Sequence, residues 1–127
     1  DQRPRRPRHS GVLMDAYKAV AAALKATGVP FTQWAWPTGK APALPWCCVL
    51  VDDHGDFHAD DTNYAALPHV RVELYQKELD EEVAASVRDA LATIGPTSET
   101  TDWIPDEGCA MTAFQLTYTD RREQNNG

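Results

Sequence analysis

The chain has 127 residues, enough for one domain with a sizeable core. Its apolar and charged fractions are those of an ordinary globular protein, and no apolar run approaches the ~20 residues that span a bilayer. Residues 1–10 carry four arginines and one acid, whereas the rest holds 8 basic and 18 acidic residues; an acidic body of this kind argues against a general nucleic-acid binder.

The N-terminal stretch, residues 1–11, is a basic arm built on Arg3, Arg5, Arg6 and Arg8. It reads either as a loose terminus or as a segment that touches phosphate or an acidic partner. The apolar run and cleavage site of a secretory signal do not follow it. Residues 12–27 read as a helix, with Leu13, Tyr17, Val20, Ala21 and Leu24 on one face and Asp15, Lys18 and Lys25 opposite. Gly28 and Pro30 stop it. Ala21-Ala22-Ala23 keeps it slim, which suits close packing on a sheet or on another subunit. Residues 31–36 read as a short strand, and Pro37 to Pro42 as a loop. Residues 46–52, WCCVLVD, form the most apolar run and read as a central strand. Asp53-His54-Gly55-Asp56 is a turn, with a short return strand expected at 57–59 and a loop over 60–68.

The clearest unit follows. Val70, Val72 and Leu74 alternate with His69, Arg71, Glu73 and Tyr75, which is the period of a strand with one buried face. From Leu79 the period becomes helical: Leu79, Val83, Val87, Leu91 and Ile94, with Ala84 and Ala90 beside them. Gly95-Pro96 ends that helix. Residues 99–104 read as a weaker strand, 105–108 as a turn, and 110–118 as a final strand with Phe114, Leu116 and Tyr118 on one face. Residues 120–127 are a polar tail. The expected order is α-β-β-β-α-β-β: an α+β fold in which sequential hairpins build a mainly antiparallel sheet of four to five strands, packed with two helices. One such domain is expected over residues 12–119.

Candidates for chemistry are few. No HExxH, GxSxG or Gly-rich phosphate loop is present. Asp52, Asp53, His54, Asp56, His58, Asp60 and Asp61 could gather a divalent metal, and a metal could activate water for a small hydrolytic enzyme. His54 and His58 share a face only in a helix, however, and Gly55 between strand patterns favours a solvated turn. Cys47, Cys48 and Cys109 have no metal spacing and no disulfide arithmetic. Adjacent on a strand, Cys47 and Cys48 point to opposite faces and are expected to be small buried residues. Trp34, Trp36 and Trp46 lie on adjoining expected strands, where they serve sheet packing or a subunit contact.

Several segments together resemble a known family. His58-Ala59-Asp60-Asp61-Thr62-Asn63-Tyr64, then Val70-Arg71-Val72-Glu73-Leu74-Tyr75 with Lys77 and Asp80, is similar to a pattern of siphophage tail terminator (tail completion) proteins. LKATGVPF resembles that family's first helix and turn, and Pro45-Trp46-Cys47-Cys48-Val49 one of its strands. The run from Glu99 to Glu107 and the strand Thr112 to Tyr118 follow in the same order, so the resemblance covers about residues 12–119. Lys77 is separated from Asp80 by Glu78-Leu79, a departure from the family's tight Lys-Asp pair. The resemblance implies a structural virion protein without catalysis or cofactor, assembled in the bacterial host cytoplasm. It implies a homo-hexameric ring that caps the tail tube and joins tail to head while DNA passes through. The implied partners are the major tail tube protein and a head-side neck or stopper protein, with the tape-measure protein a further candidate. No membrane is involved. A head-completion or neck adaptor is the nearest alternative role. Candidate subunit or partner contacts are Asp60, Asp61, Tyr64, Trp103 and Ile104, with Arg3, Arg5, Arg6 and Arg8 as a partner-binding arm.

Overall fold

The structure, a computed structural model, describes residues 8–52 and 67–119. Chain order is α1 (Arg8–Lys25), β1 (Phe31–Gln33), β2 (Trp46–Asp52), β3 (His69–Gln76), α2 (Glu81–Ala92), β4 (Ser98–Ile104) and β5 (Cys109–Thr117). This is the expected α+β fold in the expected order. The expected return strand at 57–59, and with it His54, His58, Asp60, Asp61 and Tyr64, lies outside the described residues.

The strands form one sheet in the order β1-β2-β3-β5-β4. Burial along β3 alternates without exception, so Val70, Val72, Leu74 and Gln76 face inward. The register then fixes what lies beside them. Cys47, Val49 and Val51 of β2 flank them on one side, and Ala110, Thr112, Phe114 and Leu116 of β5 on the other. Both helices cover this face. Ala16, Val20 and Leu24 of α1 and Ala84, Val87 and Leu91 of α2 complete the core, with Phe114 the largest fully buried side chain. Each fully buried Val, Leu or Phe here contributes ~2 kcal/mol of apolar burial.

Local signals set the helix ends. The Asp80 side chain accepts a hydrogen bond from the Glu82 amide at 2.9 Å, and Glu81 and Glu82 place negative charge in the first turn of α2, where the helix dipole favours it. The buried Gln76 amide donates to the Asp80 carbonyl at 3.1 Å, tying the end of β3 to the start of the helix. Leu79 therefore sits ahead of the helix and is exposed, not on its buried face. On the far side, the Gly95 amide bonds the Leu91 carbonyl at 3.3 Å and closes the helix. α1 begins at Arg8, inside the stretch read as an arm, and Ala16 is more deeply buried than Ala21. Among the described residues no helix is long and apolar enough to cross a membrane.

The sheet is mixed. β2, β3, β5 and β4 pair antiparallel, but β1 pairs parallel with β2, Phe31 opposite Cys47. Residues 31–36 are thus not one arm of a hairpin. A parallel pair needs a crossover to bring the chain back to the starting end. Here residues 34–45 supply it, and they pass over the face that the helices leave open.

Candidate functional site

The open face is built from the alternate residues of the same strands. Across β2, β3, β5 and β4 run the rows Trp46–Tyr75–Met111–Asp102, Cys48–Glu73–Ala113–Thr100 and Leu50–Arg71–Gln115–Ser98. Most of these side chains are half-buried although no helix covers them. Part of the cover is the crossover. Its Trp36 packs edge-on against Trp46, ring centroids 5.9 Å apart at 70°, and Trp46 lies against Tyr75 at 4.8 Å. Such pairs contribute ~0.5–1.5 kcal/mol beyond burial.

One bulky residue makes the crossover leave the strand. Trp34 has φ +69°, in the left-handed region that a large side chain adopts at a cost of ~1–2 kcal/mol. Its amide is held by the Val49 carbonyl at 2.9 Å, the last rung of the β1–β2 pairing. The ring is 55% exposed, so burial does not repay the strain. Trp34 and Trp36 therefore lie on the loop beyond β1, and only Trp46 of the three sits on a strand.

Between crossover and sheet lies a cavity of about 900 Å³. Trp34, Trp36, Leu44, Trp46 and Tyr75 give it aromatic and aliphatic walls, and Glu73 and Glu107 bring carboxylates to it. Glu73 is the hub of the floor. It accepts from Arg71 Nε at 2.8 Å through one oxygen and from the Tyr75 hydroxyl at 2.9 Å through the other. These three residues are neighbours on one face because their spacing is two, and the reading of β3 placed them so. Burial pushes the Tyr75 phenol well up, and donation to the Glu73 carboxylate pushes it further.

Cys47 and Cys48 are buried free thiols, as expected, and so is Cys109. Burial, with a smaller push from Cys48, raises Cys47 to about 12. Cys48, on the cavity side, is raised by burial and then by Glu73, against a hydrogen bond from the Trp36 backbone. Cys109 is raised by burial and Glu107. A nucleophilic thiol needs the opposite shift. Among the described residues no group of three or more His, Cys, Asp and Glu could hold a metal.

The cavity lining reaches the end of the sheet where Gln76 pairs with Ala110 and Ile104 with Cys109. Glu78, Asp80, Glu81 and Glu82 follow β3 there, and Asp102, Asp106 and Glu107 flank the β4–β5 turn. Lys77 is the one cation on those segments, so this end is strongly acidic. Of the expected contact residues, Trp103 is 57% exposed on the edge strand β4, and Ile104 is half-buried in the cavity wall. Trp103 faces the helix side of the sheet and Ile104 the open side, so the two address different surfaces. Arg3, Arg5, Arg6, Asp60, Asp61 and Tyr64 lie outside the described residues, and Arg8 begins α1. The aromatic cluster was legible only in part: alternation puts Glu73 and Tyr75 together, but bringing Trp36 onto Trp46 requires the crossover's path. No family model, curated protein or solved structure matches the chain.

Proposed function

We propose that this chain is a structural protein of a long-tailed phage, forming a homo-hexameric ring that caps the tail tube and joins it to the head-side neck while DNA passes. The observation that carries the reading is the ordered run of family-like segments over residues 12–119, each weak alone. Three features of the molecule support it. Among the described residues, edge strand β4 presents a seven-residue unpaired edge that is exposed over nearly its whole length, the kind of surface that another subunit covers. Trp34 and Trp103 are large, exposed aromatic rings, enriched at subunit contacts. The acidic body repels phosphate, which suits a channel that passes DNA without holding it.

The ring is tested by light scattering across a wide range of concentrations, alone and with tail tubes. A sixfold mass, or six copies per tube end, is the expected result. A chain that stays monomeric at every concentration and leaves tube ends bare refutes the reading. Stoichiometric divalent metal in the purified protein, lost in the His54→Ala/His58→Ala double variant, would favour the hydrolytic alternative.

A further inference from the structure

We propose that the aromatic cavity of one copy receives the segment Pro4-Arg5-Arg6-Pro7 of a neighbouring copy. This deepens the ring reading and rests on it for closure, though the pairing itself can be tested alone.

The cavity selects the chemistry of its occupant. At about 900 Å³ it is far larger than a single side chain and is open enough for a short peptide. Its walls are Trp34, Trp36, Trp46 and Tyr75, and the carboxylates that line it are Glu73 and Glu107, the latter in the acidic β4–β5 turn with Asp106. Aromatic walls with an acidic rim fit a cationic segment able to lay flat surfaces on the rings. Guanidinium groups stack on Trp and Tyr and pair bidentately with carboxylates. Proline spaced by three favours a polyproline II ridge, and such ridges dock in aromatic-lined grooves at little cost in entropy.

The chain carries one segment with all of these properties. Arg3-Pro4-Arg5-Arg6-Pro7-Arg8 has two prolines three apart among four arginines. No other stretch combines them: beyond residue 10 the remaining arginines are Arg71, Arg88, Arg121 and Arg122. Arg71 and Arg88 are engaged in ion pairs with Glu73 and with Glu81 and Glu99.

Geometry makes the donor a second copy. α1 packs on the helix-covered face, and the cavity lies on the other. The Pro30 carbonyl accepts from the Cys47 amide at 2.8 Å, so the C-terminal end of α1 approaches the cavity end of the sheet. Eighteen helical residues put Arg8 ~27 Å from that end. Pro4 can reach no further than ~14 Å from Arg8, even fully extended, which falls short of a site round the sheet edge. Arm and cavity are different surfaces, so their pairing is heterologous. Repeated by rotation, it closes a ring.

The test uses the full-length chain with Arg3→Ser, Arg5→Ser and Arg6→Ser, which empties the cavity of any natural arm. A peptide of residues 1–10 is titrated into it by calorimetry, beside the same peptide with Pro4→Ala and Pro7→Ala. Saturable binding is expected, at least ~tenfold weaker when the protein carries Trp36→Ala or the surface change Glu107→Lys, and several-fold weaker for the alanine peptide. Thermal unfolding of the Glu107→Lys protein should match its parent, so that loss of binding is not loss of fold. No saturation by ~1 mM, or binding indifferent to both cavity variants, overturns the pairing and leaves only general attraction to an acidic surface. If the peptide fails to bind while the unaltered chain forms hexamers, the pairing is wrong and the ring reading stands. If the peptide binds as described while the unaltered chain never closes into a sixfold species, the pairing stands and the ring reading fails.

Discussion

Raising the pH above 9 acts on Cys47 in a way that can be worked out in advance. Its thiol would ordinarily ionise near 9.0, and burial under α1 lifts it to about 12. Through that window the unfolded chain gives up a proton that the folded chain keeps. The folded state then binds more protons than the unfolded one, so stability falls as pH rises. The contribution is fully present below pH 9 and is lost on the way to about 12. Each pH unit in the window removes somewhat over ~1 kcal/mol, so by about pH 10.5 the loss from this one group is ~2 kcal/mol. The assay is urea unfolding of the parent and of Cys47→Ala, under reductant, at intervals from about pH 8 to 10.5. The variant starts lower because a buried sulphur is gone, but its curve should descend less steeply, and the two should converge. The other groups, Tyr75 among them, are present in both proteins and drop out of the difference. Parallel curves would refute the argument, because they would mean that Cys47 ionises in the folded protein as easily as in water.

Other expectations follow from the same contacts. Glu73→Gln should cost ~1–2 kcal/mol by weakening the charge-assisted bond from half-buried Arg71, and Tyr75→Phe ~1 kcal/mol; a double-mutant cycle in urea should show that the two effects are coupled by ~0.5 kcal/mol or more. Strict additivity would mean that the hydroxyl and carboxylate do not meet. Phe114→Ala, at the centre of the sheet and fully buried, should cost ~3–5 kcal/mol, read as a drop in urea midpoint with unchanged slope; a loss under ~1 kcal/mol would contradict the core. Trp34→Asn should raise stability by ~0.5–1 kcal/mol, since asparagine tolerates the left-handed region and the ring is exposed. A melting point lowered by that change would show that the ring is held in place by contacts worth more than the strain.

The sequence revealed those parts of the fold whose cause is local. β3 could be read because both of its faces are written into consecutive residues: valine and leucine inward, Arg71, Glu73 and Tyr75 outward. α2 could be read because the period turns from two to helical behind β3 and Gly95-Pro96 follows its end. Leu79 departs from the pattern because it continues the apolar spacing ahead of the helix, while Asp80 caps the helix behind it. The direction of β1 was not legible. Three residues, Phe31 to Gln33, carry no periodicity, and whether a neighbour runs parallel is decided by the path of the connection. The same holds for the site. Glu73 and Tyr75 were placed on one face from spacing alone, but the wall of Trp34 and Trp36 exists because the backbone turns at φ +69° and crosses the sheet. Nothing in the composition of residues 34–45 encodes that turn, since tryptophan is among the residues least suited to it.

The place of β5 in the sheet has a consequence for synthesis. Among the described residues it is the last strand, yet it lies between β3 and β4 and contributes Phe114 and Leu116 to the centre of the core. While the ribosome is still making β5, β3 lacks a neighbour on one side, β4 has no partner at all, and the pocket beneath α2 is unfilled. The domain therefore cannot close until residues through Thr117 have emerged. A nascent chain that stops short of this strand has neither the finished open face nor the closed β4–β5 turn that carries Glu107.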